Sequence, residues 1–184
     1  MYFLLFLFCL YVTFQGTVSF TDYLLESIRI LNETSELPFS NSTVKLKRTK
    51  SGYPKVFWEA DLVDDLQKYD AEFRISFSSA GNDLYRLLPY GVYRQPVCVL
   101  LNTAYRHLLM EDVKMYSNMP SSKDARVNLC DLMTQGHYYF RNYSISPSLF
   151  PNSLAEGRYR YELFFYKKAE DAIVNGVVTT HLMT

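Results

Sequence analysis

The stretch Tyr69-Asp70-Ala71-Glu72-Phe73-Arg74-Ile75-Ser76-Phe77-Ser78 decides the fold class. Tyr69, Ala71, Phe73, Ile75 and Phe77 alternate with Asp70, Glu72, Arg74, Ser76 and Ser78, a period of two that gives an extended chain one apolar and one solvated face. Such a strand is half-buried and needs neighbours to cover its apolar side. Upstream, Val44 and Leu46 alternate with Lys45 and Lys47, and Val56, Trp58, Ala60 and Leu62 alternate with Phe57, Glu59 and Asp61. Lys50-Ser51-Gly52 between these runs is a turn signal, so together they predict a hairpin. Downstream, Tyr159, Tyr161, Leu163 and Phe165 alternate with Arg158, Arg160, Glu162 and Phe164 after an opening Glu156-Gly157. Asn175-Gly176 predicts a tight turn into a last strand, Val177 to Met183. Tyr138 to Ile145 is a further strand, stopped by Pro147. Short alternating strands with turn signals between them predict a β-sandwich or an open barrel.

One segment departs from this period. After Asn102-Thr103, either of which can cap a helix, Ala104 to Tyr116 places Leu108, Leu109, Asp112 and Met115 at helical spacing, and Asn118-Met119-Pro120 ends the run. A short helix is expected there. Phe20 to Leu31 carries both patterns, since Leu24, Leu25, Ile28 and Leu31 fit a helix whereas Ile28 and Ile30 around Arg29 fit a strand.

The first nineteen residues carry no charge, and Tyr2 to Phe14 is almost wholly Leu, Phe, Tyr and Val. A transmembrane helix needs about 20 apolar residues, and Gln15 and Gly16 break this run early, so it reads as a signal-peptide core. Thr17 and Ser19 are the small residues that suit cleavage after Ser19, which predicts a signal peptide over 1–19 and a single domain over 20–184. Removing the leader removes Cys9 and leaves Cys98 and Cys130 as an even pair in an oxidising compartment, so a disulfide is expected between them. Three sequons, at Asn32, Asn41 and Asn142, predict a glycoprotein with these asparagines at the surface. No other segment is apolar enough to span a membrane, so no transmembrane segment is expected after cleavage.

Lys plus Arg and Asp plus Glu each number 19 with signs mixed along the chain, which argues against a nucleic-acid partner. Metal binding needs convergent ligands, and His107, His137 and His181 are far apart with no paired Cys or His spacing, so no metal and no cofactor are expected. There is no Gly-x-Ser-x-Gly elbow and no cysteine left over after the disulfide, so the chain is not expected to be an enzyme. The adjacent carboxylates Asp64-Asp65 and Glu111-Asp112 read as solvated faces. What remains is aromatic: Trp58, Phe73, Ile75, Phe77, Phe140, Tyr161, Leu163 and Phe165 all point inward from a sandwich. They either pack one another as an ordinary core or line a cavity for an apolar ligand, and periodicity does not separate the two.

Pro96-Val97-Cys98, the Asn118-Met119-Pro120 stop, Gly136-His137-Tyr138-Tyr139 and Glu156-Gly157-Arg158-Tyr159, in this order around the cysteines, resemble the insect CheA and CheB chemosensory proteins. That group is similar to the ML lipid-recognition superfamily, which includes the ganglioside-activator protein. The resemblance implies an immunoglobulin-like β-sandwich or β-cup of two antiparallel sheets, mainly β, with one short helix between the cysteines. It also favours a strand for Phe20 to Leu31. It implies a secreted protein that carries a hydrophobic small molecule or lipid in chemosensation and pheromone response, with a receptor or enzyme as a further partner. A protein-interaction module with a filled core is the alternative. An activator that lifts lipid for an enzyme is another, and it would need an apolar loop at the cavity mouth, for which Leu87-Leu88-Pro89-Tyr90 and Leu149-Phe150-Pro151 are candidates.

Overall fold

The computed structural model describes residues 22–31, 38–48, 54–79, 84–144, 155–168 and 173–183. The alternating stretch forms strand β4 (Tyr69–Ser78), and its partner in the middle of the larger sheet is β7 (Gly157–Lys167). These two strands are antiparallel, in a register that sets Ala71 opposite Phe165, Phe73 opposite Leu163, Ile75 opposite Tyr161 and Phe77 opposite Tyr159. Every inward position of one strand therefore meets an inward position of the other, and such directly opposed apolar pairs are the units that stabilise a sheet, at about 0.2–1 kcal/mol each. Around them lie β1 (Asp22–Leu31), β5 (Arg86–Pro96) and β8 (Ile173–Met183), in the order β1-β8-β7-β4-β5. A second antiparallel sheet has the order β2-β3-β6, from β2 (Phe39–Lys47), β3 (Lys55–Leu62) and β6 (Gly136–Tyr143). The expected mainly β fold of two antiparallel sheets is what forms.

The inner faces of both sheets join one contiguous core. In the larger sheet Phe73 stacks on Tyr161 with ring centroids 6.0 Å apart, and Phe77 meets Tyr159 at 4.8 Å. In the smaller sheet Trp58 lies opposite Phe140 and their rings are 5.7 Å apart, with Phe39 against Trp58 at 6.1 Å. On the outer face of the larger sheet, where alternation places solvated residues, Phe164 and Tyr166 are nevertheless buried. Guanidinium groups cover them: Arg74 lies 4.4 Å from the Phe164 ring centroid and Arg94 lies 4.3 Å from that of Tyr166. The Arg74 guanidinium also holds the Glu72 carboxyl below the usual carboxylate range. Burial, with help from the adjacent Glu72 carboxylate, pushes the Tyr166 hydroxyl up to about 12.

Between the cysteines the chain is helical in three consecutive pieces, α1 (Val97–Leu100), a π-helical stretch (Leu101–Leu109) and α2 (Met110–Val113). The helix thus begins seven residues before the expected Ala104. Its start is set by Pro96, whose extended ψ of 134° precedes the first helical residue. Asn102 and Thr103 do not cap it. Their side chains instead donate back to the carbonyls of Cys98 and Val99 at 2.8 and 2.7 Å. The Cys98–Cys130 disulfide, with Cα atoms 5.2 Å apart, ties α1 to the single-turn α3 (Leu129–Leu132). Asn102 Oδ1 accepts from the Leu129 N–H at 2.8 Å and from Arg106 at 3.0 Å, and the buried Arg106 also donates to the Ala125 and Val127 carbonyls. The bridge is thereby embedded in a polar knot that orders the loop it closes. Closing some 32 residues contributes about 3–4 kcal/mol on the chain-entropy account.

Three further expectations are corrected. Asn175-Gly176 is not a turn but lies inside β8, where Gly176 pairs with Ile30 on one side and Leu163 on the other. The local turn signal is outweighed by long-range pairing. Leu87-Leu88-Pro89-Tyr90 is not a loop but part of edge strand β5, which shifts register twice against β4 and so accommodates Pro89. Asp64 and Asp65 are more than a solvated face: Asp65 caps the 3-10 turn Leu66–Lys68 by accepting from Gln67 N–H. Asp64 accepts from the Lys68 ammonium at 2.6 Å and from the Tyr69 hydroxyl at 3.1 Å, which fixes the corner into β4. The strand reading of Phe20 to Leu31 is met by β1 over Asp22–Leu31, Phe20 lying outside the described residues. The signal peptide, Asn32, the Lys50-Ser51-Gly52 turn, Pro147 and Leu149-Phe150-Pro151 lie outside the described residues. Among the described residues no helix is long and apolar enough to cross a membrane.

Gly157, the first residue of β7, sits at φ +147°, and a Cβ there would meet a Phe77 ring carbon at 2.6 Å and the Ser78 carbonyl oxygen at 3.0 Å. Gly157→Ala is expected to destabilise the protein by about 2–4 kcal/mol, combining backbone strain with overpacking. The readout is a lower urea midpoint at unchanged m-value. Gly136→Ala, where the nearest atom is 4.0 Å away, should lose clearly less. Equal losses would show that Phe77 is not what requires glycine.

Candidate functional site

The outer face of the smaller sheet carries Thr43, Lys45 and Lys47 of β2 and the odd-numbered residues of β3, which pleating turns away from the core. Its cross-strand rows change character along the strands. At one end Asp61 lies opposite Ser40 and His137, and Glu59 lies opposite Thr43 and Tyr139. At the other, Phe57 lies opposite Lys45, and Lys55 lies opposite Lys47.

The acidic end is a hydrogen-bonded ladder. Asn41 donates its side-chain N–H to Asp61 Oδ2 at 2.8 Å, and His137 Nδ1 lies 2.8 Å from Asp61 Oδ1. His137 Nε2 faces Glu59 at 4.0 Å, and Thr43 donates its hydroxyl to Glu59 at 3.3 Å. The bond from Asn41, followed by that from His137, holds the Asp61 carboxyl below the usual carboxylate range.

The other end is a cavity of about 550 Å³. Thr43, Lys45, Lys47, Phe57, Glu59 and Arg141 form its walls, and the strand segments at Leu46, Trp58 and Phe140 form its floor. Two irregularities shape it. On β6 the register shifts between the Val56–Tyr143 and Trp58–Phe140 pairs, so that Arg141 and Asn142 together oppose Phe57 in a bulge. On β2 a second shift falls between Ser40 and Thr43. Asn41 and Asn142 sit in these two bulges at φ 52° and 63°, left-handed conformations that asparagine adopts more readily than most residues. Both are exposed, as the sequon reading requires. Arg141 is turned over the Tyr139 ring, 4.2 Å from its centroid, along the same outer face.

All eight residues read as inward-facing are buried, from 0% exposed at Phe140 to 7% at Phe77. The structure gathers them into one core cluster. Trp58 and Phe140 underlie the 550 Å³ cavity, and Phe73 borders a smaller one of about 170 Å³ at the β4–β5 bulges. Ile75, Phe77, Tyr161, Leu163 and Phe165 border neither of these two. The residues missed by sequence reasoning are Lys45, Lys47, Phe57 and Arg141. Alternation had placed Lys45, Lys47 and Phe57 on a solvated face, and Phe57 was the one signal available, a large aromatic at an outward position.

Residues 71–161 match a family model described as a protein of unknown function (DUF1091), a segment that runs from β4 into the middle of β7 and contains both cysteines. No curated protein matches the chain.

The acidic ladder makes a pH-resolved prediction. Because its folded-state pKa is depressed, Asp61 contributes stability above the ordinary carboxylate pKa, and this contribution is lost as pH falls through the lowered value. In unglycosylated protein Asn41→Ala and His137→Ala should each raise the Asp61 midpoint toward the ordinary value, as read by carboxylate NMR titration. A midpoint indifferent to both changes would refute the ladder.

Proposed function

We propose that the mature chain is a secreted, non-catalytic carrier of a hydrophobic small molecule, a lipid, hydrocarbon or pheromone, acting in chemosensation, and that the cavity on the smaller sheet holds this ligand. The observation that carries the proposal is the cavity itself. Its volume of about 550 Å³ lies within the roughly 300–1,000 Å³ common for small-molecule sites, and Phe57 stands in its wall. The aliphatic stems of Lys45, Lys47 and Arg141 extend the apolar lining, since long cationic side chains cover apolar surface while keeping their charge in water. At about 0.8 kcal/mol per buried methylene, a chain that buries eight of them gains on the order of 6 kcal/mol before the costs of association.

Secretion is supported by the Cys98–Cys130 disulfide, the sequons and the charge-free N-terminus. The chemosensory setting rests on the resemblance to CheA and CheB, whose landmarks recur here in order. A non-catalytic role fits the one His–carboxylate pair described, His137 with Asp61: its second nitrogen faces Glu59, so the imidazole is held between two carboxylates and is not aimed at a nucleophile. A receptor or enzyme would receive the ligand.

A second reading, a protein-interaction module, is favoured by β5. This edge strand shows Leu87 63% and Tyr93 89% exposed, and exposed apolar side chains on a sheet edge suit strand-to-strand association.

Trp58 is the sole tryptophan and lies beneath the cavity floor, so its emission should report occupancy. Titration with a twelve- to eighteen-carbon fatty acid or alkane should give a saturable change, and native mass spectrometry of protein secreted by insect cells should find bound lipid. Phe57→Ser should weaken binding about tenfold, roughly 1.4 kcal/mol, with little change in Tm. No saturable signal and no recovered lipid would overturn the carrier reading.

A further inference from the structure

The cations around this cavity are arranged in a way that folding alone leaves unfavourable. Lys47 and Lys55 are direct cross-strand partners on β2 and β3, and like charges so opposed repel. Lys45 follows two residues along the same face, and Arg141 approaches from the β6 bulge. Among the described residues none of the four has a carboxylate partner, although the same sheet holds Asp61 and Glu59 a few residues away. Those two carboxylates are already engaged by Asn41, Thr43 and His137. The face is therefore polarised, with its negative charge at one end and uncompensated positive charge at the other, and Phe57 between them.

We propose that the ligand of this cavity is an anionic amphiphile, a single-chain lipid with a carboxylate or similar acidic head. The head sits among Lys45, Lys47 and Arg141 with Lys55 behind them, and the chain runs past Phe57. Glu59 sets the direction, because it repels the acidic head from the opposite end. This assignment rests on the carrier reading and adds to it the charge and orientation of the cargo. An acidic head relieves the Lys47–Lys55 repulsion, whereas a neutral hydrocarbon leaves it in place. The contact is partly exposed, so its strength falls with added salt.

The test compares palmitic acid with hexadecanol, each as a monomeric probe below its aggregation threshold, by Trp58 emission or calorimetry. Wild type should bind the acid at least tenfold more tightly than the alcohol, with the gap narrowing as salt rises. Lys45→Gln/Lys47→Gln/Arg141→Gln, all exposed positions, should abolish the preference, the acid losing at least tenfold more affinity than the alcohol, without a fall in Tm, and Glu59→Gln should strengthen acid binding. Equal affinities for acid and alcohol, indifferent to the triple substitution, would overturn the anionic assignment and leave the carrier reading standing. Failure of both probes to bind would overturn the two together. Binding to phosphatidylglycerol vesicles without binding of monomeric acid would also refute it, since the cations would then serve a membrane surface.

Discussion

The antiparallel register between β4 and β7 is the constraint on which the rest of the structure depends. It sets four inward residues of one strand against four of the other, and a shift by one residue would turn Phe73, Ile75, Phe77 and their partners to solvent together. With that pairing in place, β8 and β1 extend the sheet on one side and β5 on the other. Gly157 is part of the same constraint, because β7 enters the sheet against the Phe77 ring, where a side chain would collide. The arginines of the outer face act on the same strands: Arg74 and Arg94 cover Phe164 and Tyr166, so the central strands are shielded on both faces although one face reads as polar.

The second organising element is the polar knot beside the disulfide. A covalent bridge restricts the distance between Cys98 and Cys130 but not the path of the chain between them. That path is set by Asn102, which binds Leu129 and Arg106 through one oxygen and Cys98 and Asn128 through its nitrogen. Asn128 in turn caps α3 by accepting from the Cys130 N–H. Each buried polar group of such a network costs about 1–3 kcal/mol if it loses its partner, which is why the knot and the bridge act as one unit.

Alternation made β2, β3, β4 and β7 legible, because apolar and polar residues take turns along each in sequence, even where, as at Phe164 and Tyr166, the outer face is itself buried; for the same reason the eight residues read as inward are buried. β5 was not legible: Pro89, Gly91 and two register shifts erase its period, and its existence follows from β4 offering an unpaired edge. Asn175-Gly176 misled because turn chemistry is local, whereas membership of β8 is decided by partners on its two sides, β7 and β1, that both lie more than ten residues earlier in the chain. The helix start was hidden because a proline at its head looks the same as a proline that ends a strand, and Pro96 does both. For the site, Lys45, Lys47 and Phe57 were visible as outward residues. Their grouping with Arg141 depends on a bulge in β6 whose one local sign is an asparagine that adopts positive φ, and asparagine has many other uses.

That the cavity lies outside the core, on a sheet of only three strands, has its own physical basis. A strand edge presents unpaired backbone groups, and an exposed one recruits further strands. The outer edge of β6 is closed by the segment that follows the helices. Tyr116 accepts from the Arg141 N–H at 2.7 Å, and the Asn118 side chain both accepts from the Tyr139 N–H at 2.8 Å and donates to the His137 carbonyl at 2.7 Å. A single amide side chain thus stands in for a neighbouring strand and stops the sheet. The Asn118-Met119-Pro120 stop, visible in the sequence as a helix terminator, is for this reason also a sheet terminator. Met119 is buried in the core while its neighbour satisfies the edge. The sheet can then keep a pleated outer face, with rows of side chains and two bulges, free of a fourth strand that would extend it past Arg141. What alternation reads as the solvated side of a hairpin is in this way left as a shaped and charged surface.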